Sequence, residues 1–305
     1  MSLRGRFFKS VGRVAPYLPA VRGRTRVFLE LYKLLKLQKE HLKSPAQLRH
    51  PLPYRAELDL HSWLQRIAFL TGGYEPDTTR FLDELYRSEP GDGYLLDIGA
   101  NIGLISIPFA KLSKGPLPRV IAVEAVPDNV QALRRNIAMN ALEDAIHLKA
   151  TALGDVGGSA SIQVEGDLAA GDGTGTASIV PARYGGVRQE ISVATVDSLG
   201  LPAGCKVIKI DTDGYDLKIL MGARAFLARE RPVIYGEFAE HCLRWHEQSV
   251  TDVVTFAHDN GYLVWQRRSP SWSFSREVNP ATFVMDLLLV PRERVENYAK
   301  WVSGI

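Results

Sequence analysis

Apolar positions along this chain recur with two periods. Short runs that are largely apolar fall at residues 94–98, 119–125, 146–153, 207–211, 232–238, 262–267 and 283–290, each bounded by turn residues. Near-continuous apolarity over such a length suits a strand buried on both faces, so these seven are expected to form one largely parallel sheet. Apolar residues return at helical spacing over 104–111, 127–140, 216–230 and 250–260, the last closed by Gly261. Upstream, 58–70 reads as a helix stopped by Thr71-Gly72-Gly73, and 77–87 as a helix opened by Pro76. Strand and helix alternate in a βαβαβ rhythm, which predicts an α/β fold with helices on both faces of the sheet. Residues 159–164 and 190–196 alternate like two further short strands. They flank a glycine-rich stretch, 165–176, that reads as a lid or hairpin tip, because it lacks the lysine and following helix of a phosphate-binding loop.

Where the first strand meets its helix the chain reads Leu96-Asp97-Ile98-Gly99-Ala100-Asn101-Ile102-Gly103. Gly99 permits a sharp turn, and Gly103 lets the helix start lie close to strand and ligand. The spacing is D-x-G-x-x-x-G, not the G-x-G-x-x-G of a dinucleotide site, and Asp97 would repel a pyrophosphate. A carboxylate at that place suits a nucleoside cofactor that carries an amine and a sulfonium, which points to S-adenosylmethionine. Such a cofactor calls for a second acid at the end of the next strand. Glu124 stands there, placed to hold the two ribose hydroxyls. Asp155, after the third strand, either reaches the adenine amino group or caps a hairpin turn. Ligands of an open α/β sheet bind outside the carboxyl ends of its strands, so Asp97, Glu124, Asp211, Asp213 and Glu237 are expected on one rim.

The 305 residues, 46% of them apolar, suffice for one large α/β domain and an extension. No run of about 18 apolar residues and no signal-peptide pattern is present, which argues against export or membrane spanning. Cys205 and Cys242 are far apart, with no partner at metal-ligand spacing, as in a reduced, cytoplasmic protein. The net charge of +3 hides an asymmetry. Residues 1–50 carry 12 Lys and Arg against Glu30 and Glu40, a balance of +10, and the remainder is at −7. Val27, Leu31, Leu34, Leu35 and Leu42 fall at helical spacing among these charges, so 1–50 reads as a basic amphipathic helical extension of a domain spanning 51–305. Such a helix lies peripherally on the inner membrane surface, binds an acidic or nucleic-acid partner, or docks on its own domain. The acidic balance after residue 50 and the absence of interleaved aromatics argue against a nucleic-acid partner.

Four blocks resemble the FkbM-type S-adenosylmethionine-dependent methyltransferases over roughly residues 70–290. They are Tyr74-Glu75-Pro76; residues 96–103; Val123-Glu124-Ala125-Val126-Pro127 with Asn136 and Asn140; and Ile208-Lys209-Ile210-Asp211-Thr212-Asp213-Gly214-Tyr215-Asp216, followed by the strand from Arg231-Pro232 to Glu237. The chain departs from the family pattern at Asp213 and Asp216, where Glu is usual, and at Ala125, where Pro is usual. The resemblance implies a seven-stranded, Rossmann-like class I methyltransferase sheet with an antiparallel last strand. It implies a cofactor site built from Glu75, Asp97, Gly99, Ala100, Asn101, Gly103 and Glu124, with Asp155 beside it. It also implies O-methylation of a hydroxyl on a sugar, glycan or polyketide-like small molecule. An alcohol must lose a proton, and Asp211, Asp213, Glu237 and His241 are the candidate bases. Alternatively Asp211, Asp213 and Glu237, as hard oxygen ligands, would hold Mg²⁺ and acidify the hydroxyl. Asp216 is equally suited to capping a helix. A nucleic-acid methyltransferase and a noncatalytic cofactor-binding scaffold are the rival readings, the second opposed by the presence of both Asp97 and Glu124.

Overall fold

The apolar runs pair into a nine-stranded sheet in the computed structural model, which describes residues 2–18, 24–37, 42–164, 177–179, 188–269, 271–279, 282 and 284–303. The strand order is Val302–Ser303, Phe274–Ser275, Tyr262–Arg267, Val284–Pro291, Val233–Ala239, Cys205–Ile210, Tyr94–Ile98, Val120–Glu124, Ile146–Ala150. The last five run parallel. Val284–Pro291 is antiparallel to both of its neighbours, as expected of the last strand. The count is nine and not seven because Phe274–Ser275 and Val302–Ser303 extend one edge. Strands of two residues carry no readable period in a sequence.

Period-two geometry divides the core between the two faces. Leu95, Val120 and Ala122 pack with Phe81, Leu85, Ile107, Phe109 and Leu133 on one side. Leu96, Ile98, Ile121 and Val123 pack with Leu217, Leu220, Phe226, Val253 and Phe256 on the other. Every residue of Tyr94–Ile98, Val120–Glu124 and Cys205–Ile210 is buried, as strands covered on both faces must be.

Helices Pro76–Ser88 and Pro127–Met139 start on proline, which needs no amide partner in a first turn. Val250–Asp259 starts on a capping box between Ser249 and Asp252. Other expectations are corrected. The helix read at 58–70 is the strand Tyr54–Asp59 followed by the helix Trp63–Thr71, which Ser62 and Gly72 cap. The helix read at 216–230 is two, Asp216–Met221 and Arg224–Glu230. The run at 146–153 divides. Ala152–Leu153 leaves the large sheet for a small one with Gly158–Val164, Ala177–Ile179 and Arg188–Ala194. The glycine-rich stretch 165–176 lies outside the described residues, as does Phe283.

The extension contains two described helices, Leu3–Val14 and Arg24–Leu34, and a strand, Lys43–Leu48, that pairs antiparallel with Tyr54–Asp59. The division expected at residue 50 therefore falls inside a hairpin. Phe8, Tyr32, Leu37, Leu42 and Leu48 belong to the same buried cluster as Tyr54 and Phe69. Gly12 lets the first helix lie directly on the helix Trp63–Thr71, since a Cβ there would stand 2.1 Å from Phe69 Cε1. Gly12→Ala is expected to cost about 1–3 kcal/mol through overpacking, with cofactor affinity unchanged. Thermal unfolding checks this, and a variant that melts with the parent would show the contact to be slack. Among the described residues no helix is long and apolar enough to cross a membrane.

Candidate active site

A cavity opens at the carboxyl ends of Tyr94–Ile98, Val120–Glu124, Cys205–Ile210 and Val233–Ala239, where the strand order reverses direction from the first strand. Its wall includes Gly99, Ala100, Asn101, Glu124, Asp211, Asp213 and Glu237. Gly99, at φ +77°, brings two strand ends together: a Cβ there would stand 2.0 Å from the Asp211 carbonyl oxygen. The turn holds the acid that follows it. Asn101 N–H donates to Glu124 Oε2 at 2.8 Å, and Val126 N–H donates to Oε1 at 2.9 Å. Burial raises the Glu124 carboxyl above its ordinary range, and these N–H groups partly offset that.

Asp97 is not on the cavity wall. It lies fully buried beneath the rim, accepting a hydrogen bond from the Ser106 hydroxyl. Its route to the cavity is Lys209, whose ammonium is 3.5 Å from Asp97 Oδ1 and 3.4 Å from Asp211 Oδ2. The same ammonium donates to the Gly99 carbonyl at 3.2 Å, so one lysine ties the turn to both acids. Burial alone would lower the Lys209 pKa, but the carboxylates of Asp211, Asp97 and Glu75 outweigh it and the net direction is upward.

Carboxylates crowd the opposite end. Glu237 opens on the cavity, and its carboxyl is pushed up to about 8 by desolvation first and then by Asp211, Asp286, Glu75 and Asp213. Tyr74 lines the wall, its phenol raised by burial and by Glu75, Asp211 and Glu237. Glu75 stands beside the wall, accepts from the Thr78 hydroxyl at 3.1 Å, and is raised by burial and by Asp211. Asp213 holds a left-handed backbone at φ +51° on the cavity wall.

Four candidates are placed elsewhere, the first being Gly103, which is off the cavity wall at a point where a Cβ would stand 2.6 Å from Leu133 Cδ1. Asp216 is fully buried and accepts from Thr212 N–H at 2.9 Å, Thr212 Oγ1 at 2.6 Å and Gly214 N–H at 3.0 Å, so it shapes the loop that presents Asp211 and Asp213. Asp155 faces Lys218 at 4.0 Å and is off the cavity wall. His241 is exposed, its Nε2 3.3 Å from Cys242 Sγ and its ring edge-on to Trp245. The structure gives the Mg²⁺ reading no support. Among the described residues no three His, Cys, Asp or Glu side chains are grouped to hold a metal ion, and Asp211 already faces the Lys209 ammonium.

Lys209 and Tyr74 lay within the family blocks without being assigned a role. A charged residue inside an otherwise buried strand was the available signal for Lys209, because such a charge requires a partner. Tyr215, Leu153, Ile162 and Ile219 also line the cavity, and the small sheet delivers two of them.

Residues 97–264 match the family model described as the Methyltransferase FkbM domain. The chain belongs to this family of methyltransferases. The match runs from Asp97 to Val264, and so takes in Glu124, Lys209, Asp211, Asp213 and Glu237 but not Glu75 or the N-terminal helices. The FkbM chain is also 36% identical over 94 residues to the ribosomal protein L11 methyltransferase of Pelobacter propionicus, which covers 28% of each protein. Its fold is similar to a methyltransferase FkbM from Methylobacillus flagellatus, at a TM-score of 0.41 and 19% identity, over 74% of this chain and 54% of that one. It is similar to M. jannaschii TYW2, solved in complex with AdoMet, at 0.40 and 16% identity, over 82% of this chain and 85% of that one.

Proposed function

We propose that this methyltransferase binds S-adenosylmethionine and methylates a hydroxyl of a sugar, glycan or polyketide-like small molecule. The observation that carries the reading is one cavity bounded by the glycine turn with Glu124 and by Glu237. The wall fits the cofactor. Glu124 is placed for ribose hydroxyls, Gly99 allows close backbone approach, and Leu153, Ile162 and Ile219 with Tyr215 offer an apolar surface to a purine. Glu124, Asp211 and Asp213 against Lys209, joined by Glu237 as it loses its proton near pH 8, favour a cationic cofactor and a neutral acceptor, and oppose a phosphate-bearing one.

When bound, S-adenosylmethionine supplies an electrophilic methyl on a sulfonium. The chain contributes position and proton removal. Lys209 places its ammonium between the carboxyl groups of Asp97 and Asp211 and pins the turn. Glu237, with a pKa near working pH, takes the proton of the acceptor hydroxyl as the oxygen approaches in line.

Incubation with methyl-labelled cofactor and a panel of polyhydroxylated acceptors tests this, and magnetic resonance of the product identifies the atom methylated. Label transferred only to RNA or protein would reject the acceptor class. Glu124→Ala is expected to weaken cofactor binding about 10–100-fold, the range for hydrogen bonds to a charged group. Calorimetric titration reads that loss, and an unchanged affinity would remove Glu124 from the site.

A further inference from the structure

The apolar stripe read within residues 27–42 is divided by the fold. Leu42 is buried and Leu31 and Leu35 pack on the core, while Val27 and Leu34 stay exposed. A different stripe lies outside. On the helix Leu3–Val14, Gly5, Phe8 and Gly12 face inward, whereas Leu3, Phe7 and Val14 are 78%, 53% and 55% exposed. Their spacing, i, i+4 and i+11, sets them on one line along the helix, away from the buried face. Exposed Arg6 and Arg13 border that line on one side and exposed Arg4 on the other. Tyr17 and Leu18 carry the exposed apolar run past the helix end.

A surface helix needs one apolar face, turned to the core, and this one has a second turned to water. The charge around it is as one-sided as its exposure. Residues 1–50 carry +10 and the rest of the chain −7, so an anionic surface attracts this end and repels the body. A nucleic acid would engage the arginines and stack at most one base on Phe7, but it gives the aliphatic Leu3 and Val14 no role. We propose that the helix Leu3–Val14 docks this protein on an anionic lipid bilayer, with Leu3, Phe7 and Val14 entering the headgroup boundary and Arg4, Arg6 and Arg13 meeting lipid phosphates. The inference is independent of the cofactor and of the acceptor.

Sedimentation of the full chain with vesicles tests it. The protein is expected to sediment with phosphatidylcholine vesicles containing phosphatidylserine, to stay in solution with phosphatidylcholine alone, and to be released by salt. Phe7→Glu is expected to weaken binding at least about tenfold, and Arg6→Gln and Arg13→Gln about fivefold each. Because these side chains lie outside the core, the variants should melt with the parent. Failure to sediment with phosphatidylserine vesicles would overturn the proposal, as would binding that Phe7→Glu leaves intact. Tighter binding to an RNA oligonucleotide than to the vesicles would overturn it too, and assign the face to nucleic acid.

Discussion

Lys209→Met is expected to lower the melting temperature by roughly 6–20 °C and to weaken cofactor binding with it. The substitution keeps the strand apolar and removes the ammonium between Asp97 and Asp211. Asp97 is 0% exposed, so its carboxylate would be stranded without a countercharge. Removing one partner of a buried pair costs about 3–5 kcal/mol, most of it the desolvation of the charge left behind. Asp97→Asn on the Lys209→Met background should then recover part of the loss, because the stranded charge is gone. Thermal unfolding of the parent, the single variants and the double variant checks this. A double variant no more stable than Lys209→Met would show that the ammonium acts on something other than Asp97.

Glu237→Gln is expected to reduce turnover about 10²–10⁴-fold, the usual contribution of a positioned base, while cofactor affinity holds. The base must be ionised to accept a proton. Turnover in the parent should therefore rise with pH and level above about 8, the value at which Glu237 loses its own proton, and the variant should lack that limb. The same group has a stability signature of opposite sign to a salt-bridged acid. Its folded pKa lies above the ordinary 4.5, so its contribution is fully present below 4.5 and is lost as pH rises towards 8. The cofactor-free chain should lose stability across that window, and Glu237→Gln should flatten the loss. Undiminished turnover in the variant would pass the base to Asp211 or Asp213.

The sheet was legible because its central strands are buried on both faces and so largely apolar, and because Pro76 and Pro127 mark helix starts and Gly261 a helix end. The rim followed from topology: Glu124, Asp211, Asp213 and Glu237 do share one cavity. What escaped depends on contacts between distant segments. Residues 54–59 alternate as an edge strand should, but Leu58 also continues the helical spacing of the next segment, and only pairing with 43–48 decides between them. Pro45 further masks that partner strand. Asp97 looked like a ligand of the cofactor because a sequence shows an acid at a strand end but not the lysine, 112 positions along, that covers it. Asp216 and Asp213 are three residues apart in one acidic block, yet one is turned inward to three donors and the other lines the cavity.

Val284–Pro291 fills a slot between Val233–Ala239 and Tyr262–Arg267, although it follows both along the chain. As synthesis proceeds, the first of those strands emerges with one edge bare, and Glu237 emerges before Asp286, its cross-strand partner, exists. An unpaired edge of this kind recruits other chains. The interval between translating residue 239 and residue 291 is thus an aggregation-prone passage in the birth of this protein, and insertion of the late strand ends it while setting Asp286 across from Glu237.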